Sequence, residues 1–355
     1  MINTTHSIRP EFAAMHAYPV SDATGMVKLD VMENPYRLPE WLAQEIGEIA
    51  SAVALNRYPV PTSQALRERV RAVAHVPAGF EVLLGTGSDE CIQYITAACA
   101  KPEAVVLAPV PSFVMYSMQA LFYRCKFVGV PLHADFTLDL TATLAAIKRE
   151  RPTLTWIAYP NNPTGNIFSA ADVEAIIRAA APGLVVIDEA YQPFARATFM
   201  GRLAEFDNLC VMRTFSKVGL AGLRLGYVAG APAWINEFDK ARSPFNTSVI
   251  TQAIADKLLQ HMDVFEGQCA SISAARETAR SALSGLPGVT AFPSAANFIL
   301  ARVPDSKATF DKMLGHQVLV KNFGGGHPLL ANCLRLTIGT PDENRAMIAA
   351  LTASL

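Results

Sequence analysis

The chain carries no excess of either charge. Thirty basic residues stand against 31 acidic ones, a formal net charge of −1. It therefore offers no polybasic surface of the kind that grips a phosphate backbone, and nucleic acid is not an expected partner. Its six cysteines, Cys91, Cys99, Cys125, Cys210, Cys269 and Cys333, are widely spaced with no C-x-x-C pair. Several lie inside apolar runs, where reduced buried thiols are the ordinary state. The seven histidines show no metal-ligand spacing, so no metal site is expected. No apolar run reaches the ~20 residues of a membrane span, and Met1 to Phe12 holds no apolar core of signal-peptide length. These absences lead to the expectation of a cytoplasmic protein in a reducing compartment, with no membrane partner. Internal repeats and low-complexity segments are also absent.

What is present is a large apolar fraction. Hydrophobic residues make up 51% of the 355 positions and charged residues only 17%, enough for an extensive core and for two domains. Residues 1–34 read as an irregular arm with apolar anchors at Phe12 and Tyr18. From about 35 to 245, apolar strands alternate with amphipathic helices: Val82–Leu84, Ala104–Pro109, Lys126–Pro131, Leu154–Tyr159, Leu184–Ile187, Leu209–Met212 and Gly226–Gly230 are strand-like. Continuous β-branched and leucine-rich runs separated by helices predict a mostly parallel seven-stranded sheet covered on both faces, an α/β fold. A long helical region, with Gly267 in its interior, is expected from Thr247 to about Leu286. Residues 246–355 then read as a smaller α/β domain, with strands at Thr290–Phe292, Phe298–Arg302 and Leu334–Ile338.

In a parallel sheet, binding groups gather at the carboxyl ends of the strands. The strand Leu209–Met212 runs into Thr214-Phe215-Ser216-Lys217 and then a small-residue loop ending at Arg224. A lysine at the end of a buried strand is costly unless neutral or bonded. One chemistry that uses such a desolvated amine is condensation with a carbonyl to a Schiff base. Ser216 and Arg224 suit a phosphate nearby. An imine-forming lysine beside a phosphate points to pyridoxal phosphate. The other strand ends supply what that cofactor requires. Asp188 can keep the ring nitrogen protonated. Asn162 and Tyr191 can donate to the phenolic oxygen. Ser88, as the cap of a helix running to Ala100, and Asp89 can meet the phosphate. Phe113 can cover the ring. Singly, each has an ordinary reading: Lys217 a surface lysine, Asp188 a helix cap, Asn162 a turn residue before proline, Phe113 a core side chain.

The ordered set Gly87-Ser88-Asp89-Glu90, Asn161-Asn162-Pro163-Thr164-Gly165, Asp188-Glu189-Ala190-Tyr191, Ser216-Lys217 and Arg335-Leu336-Thr337 resembles the fold-type-I pyridoxal-phosphate aminotransferases over nearly the whole chain. Met32-Glu33-Asn34-Pro35-Tyr36, Arg57-Tyr58-Pro59 and Cys333 to Thr340 make the finer resemblance one to the histidinol-phosphate aminotransferase family. The resemblance implies Lys217 as the covalent Schiff-base lysine, with Asp188 and Tyr191 as its catalytic companions. It implies cofactor contacts from Ser88, Asp89, Phe113, Asn162, Ser216 and Arg224, and from Tyr58 of a partner subunit, hence a homodimer with shared sites. The arm is then expected to pack on the small domain or on the partner subunit. Arg335, Lys321, Tyr18 and Asn34 are implied on the substrate side, with Lys321 standing where relatives often carry a second arginine. From Lys217 to Arg224 is seven positions, where many relatives have one more. The implied reaction is transamination between histidinol phosphate and 2-oxoglutarate. Three readings stand beside it: an aminotransferase for aromatic or other amino acids, a decarboxylase of the threonine-phosphate type, and a cofactor-binding regulator without activity.

Overall fold

Three successive strands, Leu154–Ala158, Leu184–Asp188 and Leu209–Thr214, form the centre of the molecule, and almost every one of their side chains is buried. The structure is a computed structural model that describes residues 6–17 and 21–355. In chain order the strands are β1 (Val27–Lys28), β2 (Glu81–Thr86), β3 (Val105–Val110), β4 (Lys126–Pro131), β5 (Leu154–Ala158), β6 (Leu184–Asp188), β7 (Leu209–Thr214), β8 (Leu225–Gly230), β9 (Thr290–Ala291), β10 (Phe298–Arg302), β11 (Val318–Leu319), β12 (Lys321–Asn322) and β13 (Cys333–Thr337). The large sheet has seven strands in the order β2-β8-β7-β6-β5-β3-β4. All neighbours are parallel except β8, which runs against both β7 and β2. The reversal follows from chain length. Only ten residues separate the end of β7 from the start of β8, too few for the helical crossover that a parallel neighbour needs.

Register aligns the functional strand ends. Ala158 of β5 pairs with Asp188 of β6, and Asp188 pairs with Met212 of β7. The turns after these strands therefore leave the sheet at one level, carrying Asn162, Tyr191 and Lys217. Helices such as Ser88–Cys99 and Ala170–Ala180 cover the two faces, with buried apolar sides toward the sheet.

The expected helical region from Thr247 to Leu286 is built from two helices. Val249–Leu258 and Met262–Ser284 are separated by a 3-10 turn at Leu259–His261. There His261 leaves the helical region (φ −120°, ψ 41°), and Leu258 and Leu259 are both buried. The last third builds an antiparallel sheet, β12-β13-β10-β9. The short strands β11 and β12 had no counterpart in the periodicity, because two residues are too few to show alternation. The arm is less irregular than its composition implies: β1 pairs in parallel with β11, through Val27↔Val318 and Lys28↔Leu319. From β1 the chain crosses to the large sheet and passes over the strand ends.

Candidate active site

Lys217 lies in an irregular helical turn, Ser216–Leu220, directly after β7. Thr214 starts that turn: its Oγ1 accepts from the Ser216 N–H at 3.2 Å and lies 2.9 Å from Ser216 Oγ. Gly219 adopts φ +129°, and a Cβ there would come within 3.0 Å of Asn34 Nδ2, so this position calls for glycine. The Lys217 Nζ donates to the Val31 carbonyl at 2.9 Å. Burial, reinforced by the Arg335 guanidinium, pushes its ammonium down to about 8.

Asp188 is 5% exposed. Its Oδ2 accepts from the Tyr116 hydroxyl at 2.6 Å and its Oδ1 from the Ala190 N–H at 3.0 Å. Burial outweighs these bonds and raises its carboxyl to about 6. A buried carboxylate with neutral donors and no cation is costly, so this group is suited to a cationic ligand atom. Glu189, next in sequence and fully buried, is by contrast held within the protein. It accepts from the Phe199 N–H at 2.6 Å, Thr198 Oγ1 at 2.8 Å and Arg213 Nε at 2.9 Å.

Asp188 and Lys217 face one cavity of about 210 Å³. Every residue expected around the cofactor lines it except Tyr58. One wall is the amino terminus of helix Ser88–Cys99. Gly87, at φ +77°, is the cap residue there, and Ser88 is the first helical residue rather than the cap. The helix end, with Ser88 as its first residue, presents N–H groups to an anion. Two glycines keep that wall thin. A Cβ on Gly226 would lie 2.5 Å from the Ser88 nitrogen, and one on Gly87 would lie 3.0 Å from Arg224 Nη2. Arg224, itself at φ +51°, reaches this wall, 3.7 Å from Asp89 Oδ2, so the shorter loop still delivers its guanidinium. A second cavity of about 340 Å³ opens behind β7, beside the Glu189–Arg213 pair. Its lining includes neither Lys217 nor Asp188.

Arg335 on β13 is buried and reaches the same region from the small sheet. Its Nη1 donates to Asn162 Oδ1 at 2.6 Å and its Nη2 to the Asp30 carbonyl at 2.7 Å. The guanidinium lies over the rings of Phe298 and Phe323, at 5.5 and 5.4 Å. Lys321 on β12 is the cross-strand partner of Arg335. Its ammonium is lowered by burial and then by Arg335. Tyr191 is buried and meets Phe298 edge-on at 5.2 Å.

Arg335, Lys321, Asn34 and Tyr58 are not among the residues that line the cavity; Arg335 is joined to it by its bond to Asn162. Asn34 does not line the cavity: its Nδ2 donates to the Val218 carbonyl at 2.7 Å and to Gln268 Oε1 at 2.9 Å, and its Oδ1 accepts from the Tyr36 N–H at 2.9 Å. It ties the arm to the lysine turn. Tyr58 is 80% exposed and stacks on Phe245 at 4.6 Å. Tyr18 lies outside the described residues. Tyr116 and the carbonyls of Asp30 and Val31 were not foreseen. A buried tyrosine in an apolar helix has no sequence signature of its contact, and backbone acceptors have none at all.

The profile of the aminotransferases of class I and II matches residues 24–351. The chain belongs to the class I and II aminotransferases. Among curated members, a protein of Burkholderia pseudomallei (strain 1710b) named histidinol-phosphate aminotransferase 2 is 58% identical over 348 residues, covering 98% of each chain. The histidinol-phosphate aminotransferase of Chromobacterium violaceum is 53% identical, covering 97% of this chain and 96% of its own. Among solved structures, the histidinol-phosphate aminotransferase of Sinorhizobium meliloti in complex with pyridoxal 5'-phosphate superposes with a TM-score of 0.87 at 25% identity. That match covers 98% of this chain and 97% of the other. The fold is accordingly the fold-type-I arrangement of this aminotransferase family.

Proposed function

We propose that this aminotransferase uses pyridoxal 5'-phosphate to transfer the amino group between L-histidinol phosphate and 2-oxoglutarate, giving imidazole acetol phosphate and L-glutamate, in L-histidine biosynthesis. The observation that carries the reading is the juxtaposition of Lys217 and Asp188: a depressed amine and a buried carboxylate face one cavity from neighbouring strand ends. The residues fit the cofactor. A buried carboxylate held by neutral donors suits a protonated ring nitrogen, and a thin glycine-lined helix end suits a phosphate.

When bound, pyridoxal phosphate supplies an electron-poor ring that accepts the electron pair left as the substrate loses its α-hydrogen. Asp188 holds the proton on the ring nitrogen. Lys217 anchors the cofactor and, once displaced by substrate, uses its neutral Nζ to take the α-proton and return it. Asn162 and Tyr191 orient the phenolic oxygen, and Phe113 covers the ring. Ser88, Asp89, Ser216 and Arg224 hold the cofactor phosphate. Arg335 binds the anionic end of each substrate, with Lys321 adding a second positive charge on the next strand. Asn34 acts through the wall of the site, where its amide is engaged.

The same proposal includes a homodimer in which Tyr58 reaches the neighbouring site. Its support is an exposed apolar surface: Tyr58 on Phe245, with Leu55 and Val60 alongside in sequence. It also includes a cytoplasmic location, supported by six free cysteines, and a division into an arm (1–34), a cofactor domain (35–245) and a small domain (246–355).

The test is a panel of amino donors with 2-oxoglutarate. Histidinol phosphate should give glutamate with the highest kcat/KM. Better turnover of phenylalanine or aspartate would remove the substrate assignment. Carbon dioxide from a phosphorylated amino acid, with no keto product, would replace transamination by decarboxylation.

A further inference from the structure

Tyr116 is the least expected group at the site. It is 1% exposed on the helix Met115–Phe122. Its ring stacks on Trp156 of β5, with centroids 5.0 Å apart and planes within 2°. The Phe113 ring meets it edge-on at 5.8 Å. Held between these rings, the phenol points its hydroxyl at Asp188 Oδ2, 2.6 Å away. We propose that Tyr116 is a positioning residue that acts through Asp188: its fixed O–H holds the carboxylate ionised and aimed at the cavity, so that Asp188 can retain a proton on the cofactor's ring nitrogen. The inference rests on the cofactor reading above and adds a residue that lines the cavity and is bonded to Asp188.

The direction of the hydrogen bond follows from burial. Desolvation and the adjacent carboxylate both raise the Tyr116 phenol well above its ordinary range, so it stays protonated and serves as donor. A donated hydrogen bond favours the charged form of its acceptor. Two carboxylates near Asp188 work against its ionisation. Asp89, on the helix Ser88–Cys99, and Glu189, next in the chain, both disfavour a further negative charge. Asp188 in turn raises the Cys91 thiol, and Tyr191 raises the Tyr116 phenol. Lys217 lines the same cavity. Among these neighbours only Tyr116 and the Ala190 N–H favour the carboxylate by direct hydrogen bonds. Hydrogen bonds to charged groups are the stronger kind, so removal of one oxygen atom from Tyr116 should be felt at Asp188.

Tyr116→Phe keeps the stacked ring and deletes that oxygen. The first measurement uses apoprotein with ¹³C-carboxyl aspartate, Asp188 being assigned by its absence in Asp188→Asn. The Asp188 titration should move up by about one pH unit. In the holoenzyme, kcat should fall roughly tenfold or more with KM within about twofold, and the acid limb of the pH profile should move in the same direction. In an Asp188→Asn background, Tyr116→Phe should add nothing further. An unmoved Asp188 titration, or full additivity in the double variant, overturns the proposal. The wild-type protein provides a measurement independent of the variant's folding: the Tyr116 hydroxyl proton should be protected and its shift should follow the Asp188 titration. Exchange as fast as that of a solvent-exposed phenol also overturns it. The apoprotein experiments need neither cofactor nor substrate, so failure of the substrate assignment would leave their outcome readable.

Discussion

Arg335 Nη1 donates to Asn162 Oδ1 across 2.6 Å, bonding the small sheet to the turn after β5 of the large one. The other arm of the same guanidinium is held by the Asp30 carbonyl. The guanidinium is therefore oriented by both parts of the fold, and in the proposed reaction it would meet the substrate anion in that orientation. Arg335→Lys keeps the charge but loses the planar fork. Its kcat/KM for histidinol phosphate should fall by about ten- to a hundredfold, mostly through KM, as one or two charge-assisted bonds are lost. Steady-state kinetics with both substrates would check it, and an unchanged KM for both would remove Arg335 from the anion site.

Asp188 should cost the apoprotein stability. Its folded carboxyl titrates near 6 against an ordinary value of 3.8. The raised value means that the native state binds the proton more tightly, so this group's contribution is fully present below 3.8 and is lost as pH rises through about 6. Asp188→Asn should therefore be more stable than wild type at pH 7.5, by on the order of 2 kcal/mol, while losing most turnover. Thermal or urea unfolding of cofactor-free protein measures it. The advantage should vanish near pH 4, and equal stability at pH 7.5 would show that the carboxylate is better compensated than its neighbours imply.

Gly226→Ala tests the phosphate wall. The added methyl would sit 2.5 Å from the Ser88 nitrogen, so the helix end must shift. Affinity for pyridoxal phosphate, followed by fluorescence, should fall at least about tenfold, consistent with loss of one charge-assisted contact. Gly222→Ala, where a Cβ meets nothing within 4 Å, should bind as wild type. If both variants bind alike, the phosphate lies elsewhere.

Tyr58 and Lys217 should complement each other between subunits. Tyr58→Ala and Lys217→Ala homodimers should both be weak or inactive. Unfolded and refolded together, they should recover activity, because some mixed dimers carry one site with both residues intact. No recovery, in mixtures shown by mass to contain heterodimers, would place Tyr58 outside the neighbouring site.

Asn34 is expected to act on stability and geometry together. Asn34→Ala removes donors to Val218 and Gln268 and should lower unfolding free energy by about 1–3 kcal/mol. It should also loosen the Lys217 turn, read as a shift in the pH dependence of the bound cofactor's absorbance. Loss of substrate affinity alone, at wild-type stability, would instead put Asn34 against the substrate.

Much of the architecture was legible because its signals are local. Continuous apolar runs such as Leu184–Ile187 mark strands buried on both faces, and strand-end positions of Asn162, Asp188 and Lys217 follow once the runs are found. The break at Leu259–His261 was not legible, since helical periodicity continues across it. Ser88 was misread as the cap because a serine after two glycines has that local preference; the left-handed backbone at Gly87 decided otherwise. The strand pairing of the arm was hidden as well, since β1 is too short to show a period and its partner β11 lies 291 positions away at Val27↔Val318.

By itself the sequence determined the parallel sheet and the chemical types at its edge, since burial patterns and turn residues depend on near neighbours along the chain. Only the tertiary structure decided which of those groups meet. Hydrogen bonds and desolvation act over a few ångströms in space, with no regard for separation in sequence. Tyr116 reaches Asp188 across 72 positions and Arg335 reaches Asp30 across 305. The Lys217 ammonium is pushed below its ordinary range because folding removes its water and brings the Arg335 guanidinium near. Neither condition exists until the sheet and the arm have closed around it.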